Sequence, residues 1–198
     1  MSVDDALSAA ELGADAVGLI FADSPRQVTA EQARRIVRRL PPFVTVTGVF
    51  VDEDIRVVEK LHREIGFHIA QLHGNEDQAY LARLELPLLK SFAVKDAGVL
   101  DRIEEYRVRA FLLDTYRPDR AGGTGEVFDW SIAIKAKAYG QVVLSGGLTP
   151  ENVTGGLSAV RPWAVDVSSG IEAEPGVKDR GKMKAFIEKV HQWDSQTG

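Results

Sequence analysis

The sequence predicts an α/β protein of the (β/α)8 barrel class, on three observations. Seven short β-rich apolar runs recur along the chain: "ADAVGLIF", "TVTGVFV", "IAQLH", "LLKSFAV", "AFLLDT", "VVLSGG" and "AVDVSSG". They are near-continuous in hydrophobicity where a one-sided sheet would alternate, as expected of parallel strands covered on both faces. Helical patterns fill the gaps between them. At 198 residues the chain fits one domain over residues 1–198, with no linker-like tract dividing it.

The first predicted element is a helix, because Ser2 and Asp5 form a capping-box pattern with Leu7 and Ala10 on one face. Thr29 and Gln32 repeat that pattern ahead of Ile36, Val37 and Leu40. Thr149 followed by Pro150 reads as an N-cap with proline at the first helical position. Near the end, Met183, Phe186, Ile187 and Val190 form an apolar stripe after the N-cap candidate Asp179. The count comes to about seven strands and about eight helices, where a full barrel has eight of each. The strand wanting is the first. Opening a barrel there leaves "ADAVGLIF" and "AVDVSSG" as unpaired edges. The sequence is therefore expected to begin at an internal start, with about ten further residues upstream, the length of one strand and its flanks.

Composition narrows the function. No apolar run approaches the roughly 18–20 residues that cross a bilayer, and "MSVDDALSAAELG" lacks the basic and apolar regions of a signal peptide. A soluble, cytoplasmic protein without a membrane partner is expected. A net charge of −5 and a pI near 5.4 argue against a nucleic-acid partner, which needs a basic stripe. The basic run "ARRIVRRL" reads as an exposed helix face. No cysteine occurs, which excludes disulfides, thiolate metal sites and a thiol nucleophile within these residues.

In parallel α/β barrels the chemistry sits at the carboxyl ends of the strands, and phosphate often binds at the last two loops. Two stretches fit that position: "VVLSGGLTPENV", with Gly146 and Gly147, and "AVDVSSGIE", with Ser168, Ser169 and Gly170. Glycine lets backbone N–H groups approach an anion closely. Arg26 follows the first strand, and its guanidinium suits a carboxylate or phosphate, or else a surface ion pair. His73 and Asp166 also fall at strand ends. His68 is an odd number of residues before His73, so the two point to opposite faces and no two-histidine metal site is expected. Asp114 ends "AFLLDT" as either a loop cap or a carboxyl kept protonated near an anion-binding rim. The stretch after it, "RPDRAGGTGEVFDW", is long and glycine-rich, as a lid would be.

The stretches "ADAVGLIFADSPRQV", "AQLHGNE", "LLDTYRPDRAGGTGEVFDW", "VVLSGGLTPENV" and "AVDVSSGIE", in this order, resemble the phosphoribosylanthranilate isomerases across essentially the whole chain. The resemblance implies an Amadori rearrangement of N-(5-phosphoribosyl)anthranilate in tryptophan biosynthesis, with neither metal nor organic cofactor. It makes Asp114 the general acid and gives Arg26 the anthranilate carboxylate. It seats the phosphate on backbone groups around Gly146, Gly147, Ser169 and Gly170. His73 and Asp166 match positions that line the pocket. A monomer or homodimer follows, with the small-molecule substrate as the partner. One departure stands out: the family's base is a cysteine in a Lys-Ile-Cys-Gly pattern on the first strand, and that strand is absent here. The competing expectation is thus a catalytically inactive barrel that binds phosphate and anthranilate. Another phosphate-binding barrel enzyme, such as an epimerase or indole-glycerol-phosphate synthase, is disfavoured by the lack of a metal constellation and of that synthase's lysine pattern.

Overall fold

The computed structural model describes residues 1–116 and 127–197. The glycine-rich part of the expected lid, 117–126, lies outside the described residues. The chain divides into two compact units, Met1–Leu89 and Lys90–Gly198.

In the first unit, α1 (Val3–Leu12), β1 (Ala16–Ile20), α2 (Ala30–Val37), β2 (Thr45–Phe50), α3 (Ile55–Ile65), β3 (Ile69–Leu72) and α4 (Gln78–Leu81) follow in turn. Both expected capping boxes form, Ser2 with Asp5 and Thr29 with Gln32, each satisfying amide donors that the first helical turn leaves over. Gly13 and Gly66 end α1 and α3 in the left-handed conformation, at φ 100° and 80°. The three strands are parallel and in chain order, with Ala16 opposite Thr45 and Phe50 opposite Leu72. Val17, Leu19, Val46, Val58 and Leu72 are buried, and the Phe50 ring stacks on Phe21 at 5.2 Å and meets Phe67 at 5.7 Å. Each such side chain contributes roughly 1.5–3 kcal/mol by leaving water. Arg35, Arg38 and Arg39 of the basic run are exposed, as expected of a solvated face.

The second unit takes up β4 (Leu88–Val94) from Lys90 onward, followed by α5 (Val99–Glu104), β5 (Ala110–Thr115), α6 (Trp130–Ala136), β6 (Gln141–Leu144), α7 (Val153–Val160), β7 (Ala164–Val165), a 3-10 turn (Ser169–Ile171), β8 (Glu172–Glu174), β9 (Val177–Lys178) and α8 (Arg180–Thr197). The strands β4 to β7 run parallel in chain order, pairing Lys90 with Phe111, Leu113 with Leu144 and Leu144 with Val165. Phe92, Phe111, Leu113, Leu144, Ile132, Leu157, Met183 and Phe186 make the core. Lys90 is fully buried, with its ammonium 5.7 Å from the Phe92 ring centroid and 5.8 Å from that of Tyr106, whose negative ring faces attract a cation.

All seven expected strands are present, and eight α-helices occur among the described residues. One local reading needs correction. Thr149 and Pro150 open a turn rather than a helix, because the Thr149 hydroxyl accepts from the Glu151 amide and α7 starts only at Val153. The antiparallel β8–β9 hairpin, turned by Gly176 at φ 87°, was not expected from so charged a stretch. No helix among the described residues is long and apolar enough to cross a membrane.

Candidate active site

The carboxyl ends of β5, β6 and β7 set the geometry of the second unit's candidate residues. Leu113 and Leu144 face the core, and the ladder runs one residue past the last strands: the Ser145 amide donates to Leu113 O and the Asp166 amide to Leu144 O, both at 2.9 Å. One step beyond the Leu113, Leu144 and Val165 pairing, Asp114, Ser145 and Asp166 therefore share a level and point to the opposite face. The Ser145 hydroxyl donates to Asp166 Oδ2 at 2.9 Å. Ser145 is buried, and sequence reasoning passed over it; its one signal is its place between a strand and the glycine pair.

Gly146 and Gly147 adopt φ of 78° and 71°, a region that suits glycine. A Cβ on Gly146 would overlap the Thr115 amide nitrogen and lie 2.5 Å from Thr115 Oγ1 and 2.8 Å from Asp114 Oδ1. The glycine backbone thus packs directly against the carboxylate. A Cβ on Gly170 would overlap the Leu148 carbonyl oxygen, so the loop after β7 lies against the loop after β6. Asn152 braces the latter, donating from Nδ2 to Gly147 O at 2.9 Å and accepting the Thr149 amide at 2.8 Å. The structure thus gathers Asp114, Gly146, Asp166 and the two glycine loops at one end of these strands.

In the first unit Arg26 sits half-buried in a turn after β1, where its amide donates to Ser24 Oγ at 3.2 Å and Val28 N returns to Ile20 O at 2.9 Å. The His73 amide extends the β2–β3 ladder by donating to Phe50 O at 2.8 Å. Its ring Nδ1 is 3.3 Å from Gln71 Nε2, so an unprotonated Nδ1 accepts from that amide. His68 does something else: its Nδ1 accepts the Val46 amide at 2.9 Å.

Beyond His73 the loops after β2 and β3 are clamped together. Buried Glu76 accepts the Asp52 amide at 2.8 Å and the Gly74 amide at 3.0 Å, while Asp52, at φ 50°, accepts the Asn75 amide at 2.6 Å. A Cβ on Gly74 would overlap the Asp52 carboxylate. Nearby, the Tyr80 hydroxyl donates to Glu53 O at 2.8 Å. Burial, followed by the Glu76 and Glu53 carboxylates, pushes the Tyr80 phenol up to about 12. Among the described residues, no group of three or more His, Cys, Asp or Glu side chains is arranged to hold a metal ion.

Comparison with known proteins agrees with this architecture. The family model for N-(5'-phosphoribosyl)anthranilate (PRA) isomerase matches residues 1–189. The curated N-(5'-phosphoribosyl)anthranilate isomerases of Geotalea uraniireducens and Geobacter metallireducens are 47% and 48% identical over 190 residues, covering 96% of this chain and 94% of theirs. The crystal structure of phosphoribosyl anthranilate isomerase from Thermotoga maritima matches with a TM-score of 0.90 and 39% identity, covering 97% of this chain and 95% of its own. A solved phosphoribosyl anthranilate isomerase in complex with reduced 1-(o-carboxyphenylamino)-1-deoxyribulose 5-phosphate matches with a TM-score of 0.85 and 37% identity, covering 96% and 94%. The fold is that of the (β/α)8 barrels, and by model, sequence and structure alike the chain belongs to the N-(5'-phosphoribosyl)anthranilate isomerase family.

Proposed function

We propose that the chain, as one domain in the cytoplasm, rearranges N-(5-phosphoribosyl)anthranilate to 1-(2-carboxyphenylamino)-1-deoxyribulose 5-phosphate, with Asp114 as the general acid. The observation that carries this reading is the Asp114 carboxylate at the end of β5, against the Gly146 backbone and level with the Ser145–Asp166 pair. A positioned acid there delivers a proton to the furanose ring oxygen. The C1–O bond then breaks onto that oxygen while the anilino nitrogen lone pair closes a C=N bond. Loss of the C2 proton to a base gives the enolamine, which tautomerises to the ketose.

Binding is divided among the other residues. Arg26 holds the anthranilate carboxylate, whose planar oxygens suit a guanidinium. The phosphate lies on backbone N–H groups around Gly146, Gly147, Ser169 and Gly170. His73 and Asp166 line the pocket. The 198 residues contain no cysteine, so the group that takes the C2 proton is not a thiol among them.

Turnover of phosphoribosylanthranilate by the purified protein tests the reading, beside Asp114→Asn. The variant should lose about two or more orders of magnitude in kcat, the usual weight of a general acid, and keep its fold. A near-normal kcat would return Asp114 to a loop-capping role. Binding of the product analogue without turnover by the unaltered protein would identify a binding barrel instead.

A further inference from the structure

We propose that Lys178 is a positioning residue for the substrate phosphate: it fixes the Ser168–Ser169 peptide so that the Ser169 N–H is presented to the ligand. This rests on the phosphate reading above. Lys178 Nζ lies 3.1 Å from Glu172 Oε1 and donates to the Ser168 carbonyl oxygen at 2.8 Å. The two side chains are 8% and 4% exposed.

A buried ion pair is a weak source of net stability, because desolvating both ions offsets most of their attraction. Glu172 also cancels the charge of Lys178 at close range, so the ammonium acts here as an oriented donor more than as a field. What it orients is a backbone carbonyl. No cis peptide occurs among the described residues, and in a planar trans peptide the C=O and the following N–H point in opposite directions. Holding the Ser168 carbonyl toward Lys178 therefore directs the Ser169 N–H away from it. Ser168 itself, at φ −121° and ψ −79°, is the N-cap of the single 3-10 turn Ser169–Ile171, and beyond that short turn the Lys178 ammonium is the group that orients this peptide.

The same C-terminal segment braces the neighbouring backbone in the same manner. Lys182 Nζ donates to Glu172 O at 2.7 Å, and Lys189 Nζ donates to Pro150 O at 2.6 Å in the loop after β6. The close approach of Gly170 to Leu148 joins the two loops. Three lysines thus grip carbonyls of the segments that carry Gly146, Gly147, Ser169 and Gly170.

The test compares two ligands, reduced 1-(o-carboxyphenylamino)-1-deoxyribulose 5-phosphate and its dephosphorylated counterpart, on the unaltered protein, Lys178→Met and Lys178→Arg. Lys178→Met should weaken the phosphorylated ligand about tenfold or more, the effect of a lost charge-assisted hydrogen bond, and leave the dephosphorylated one unchanged. Lys178→Arg, which can still donate to the carbonyl, should recover most of the difference. Equal weakening of both ligands, or an unaffected preference for the phosphorylated one, overturns the inference. If the unaltered protein does not distinguish the two ligands, the phosphate reading falls and takes this inference with it. One readout does not depend on a variant folding. In an amide proton–nitrogen correlation spectrum of the unaltered protein titrated with inorganic phosphate, the Ser169 resonance should shift saturably. A stationary Ser169 resonance overturns the inference too.

Discussion

At Gly146 the loop pattern suggests one demand and the packing shows another. Its place between a strand and a helix reads as a phosphate glycine, and so it does in "VVLSGGLTPENV". The structure adds a steric demand: the Gly146 backbone fills the space where a Cβ would meet Thr115 and Asp114 Oδ1. Gly146→Ala must therefore displace the carboxylate or the end of β5, besides holding alanine at φ 78°. A displacement of roughly 1 Å at a reacting group costs about a hundredfold in rate, so kcat should fall by about that much. If the glycine served the phosphate alone, KM would rise and kcat would stay, and that pattern in steady-state kinetics would remove Gly146 from acid positioning. The placement of Asp114, Arg26, His73 and the glycines was legible because each stands at or just after the end of an apolar run. The contacts between Gly146 and Asp114, and between Ser145 and Asp166, were not, because they join residues from different strands and leave no local pattern.

At the scale of elements, strands were read more securely than turns. Continuous apolar runs mark β1 to β6 because both faces of a parallel strand are covered, whereas β7 keeps only two residues of "AVDVSSG" as strand. Helix starts at Ser2 and Thr29 were legible through reciprocal caps. Thr149 misled because its hydroxyl is used locally within a turn, a competition open to every Ser and Thr. The clamp between the loops after β2 and β3 was equally hidden, since buried Glu76 reads as a surface residue in "HGNEDQ". Its Oε1 accepts both the Asp52 and Gly74 amides and its Oε2 the Gly74 amide alone, so Glu76→Gln removes the charge and turns an NH2 group toward the Gly74 N–H in place of its shorter acceptor. Weakening a hydrogen bond to a charged acceptor at this half-buried amide costs about 1 kcal/mol, and urea unfolding should register a loss of that size. Unchanged stability would mean that water replaces the carboxylate and that the clamp does not hold these loops.

Over the whole molecule each unit carries some of the candidate residues, Arg26 and His73 in the first and Asp114, Asp166 and the glycine loops in the second. In the first unit Tyr80 sets a stability contribution that an alkaline pH removes. Its phenol is pushed from 10.0 to about 12 by burial and by the Glu76 and Glu53 carboxylates, while its hydroxyl donates to Glu53 O. Below the unfolded value both states keep the proton, and this contribution to stability is fully present. As pH rises from the unfolded value toward the folded one, only the unfolded chain releases its proton. The unfolded state then binds fewer protons, so stability falls, and the contribution is lost once the folded phenol ionises too. Tyr80→Phe should be less stable than the unaltered protein near neutrality, by the single hydrogen bond, and should lack this alkaline loss. Urea midpoints of the two proteins should therefore converge between about pH 10 and about pH 12. Other tyrosines and lysines titrate in the same window, but they do so in both proteins and drop out of the difference. Two midpoint curves that stay parallel would show that Tyr80 ionises alike in the folded and unfolded chains, and an alkaline loss of stability would then lie with other groups.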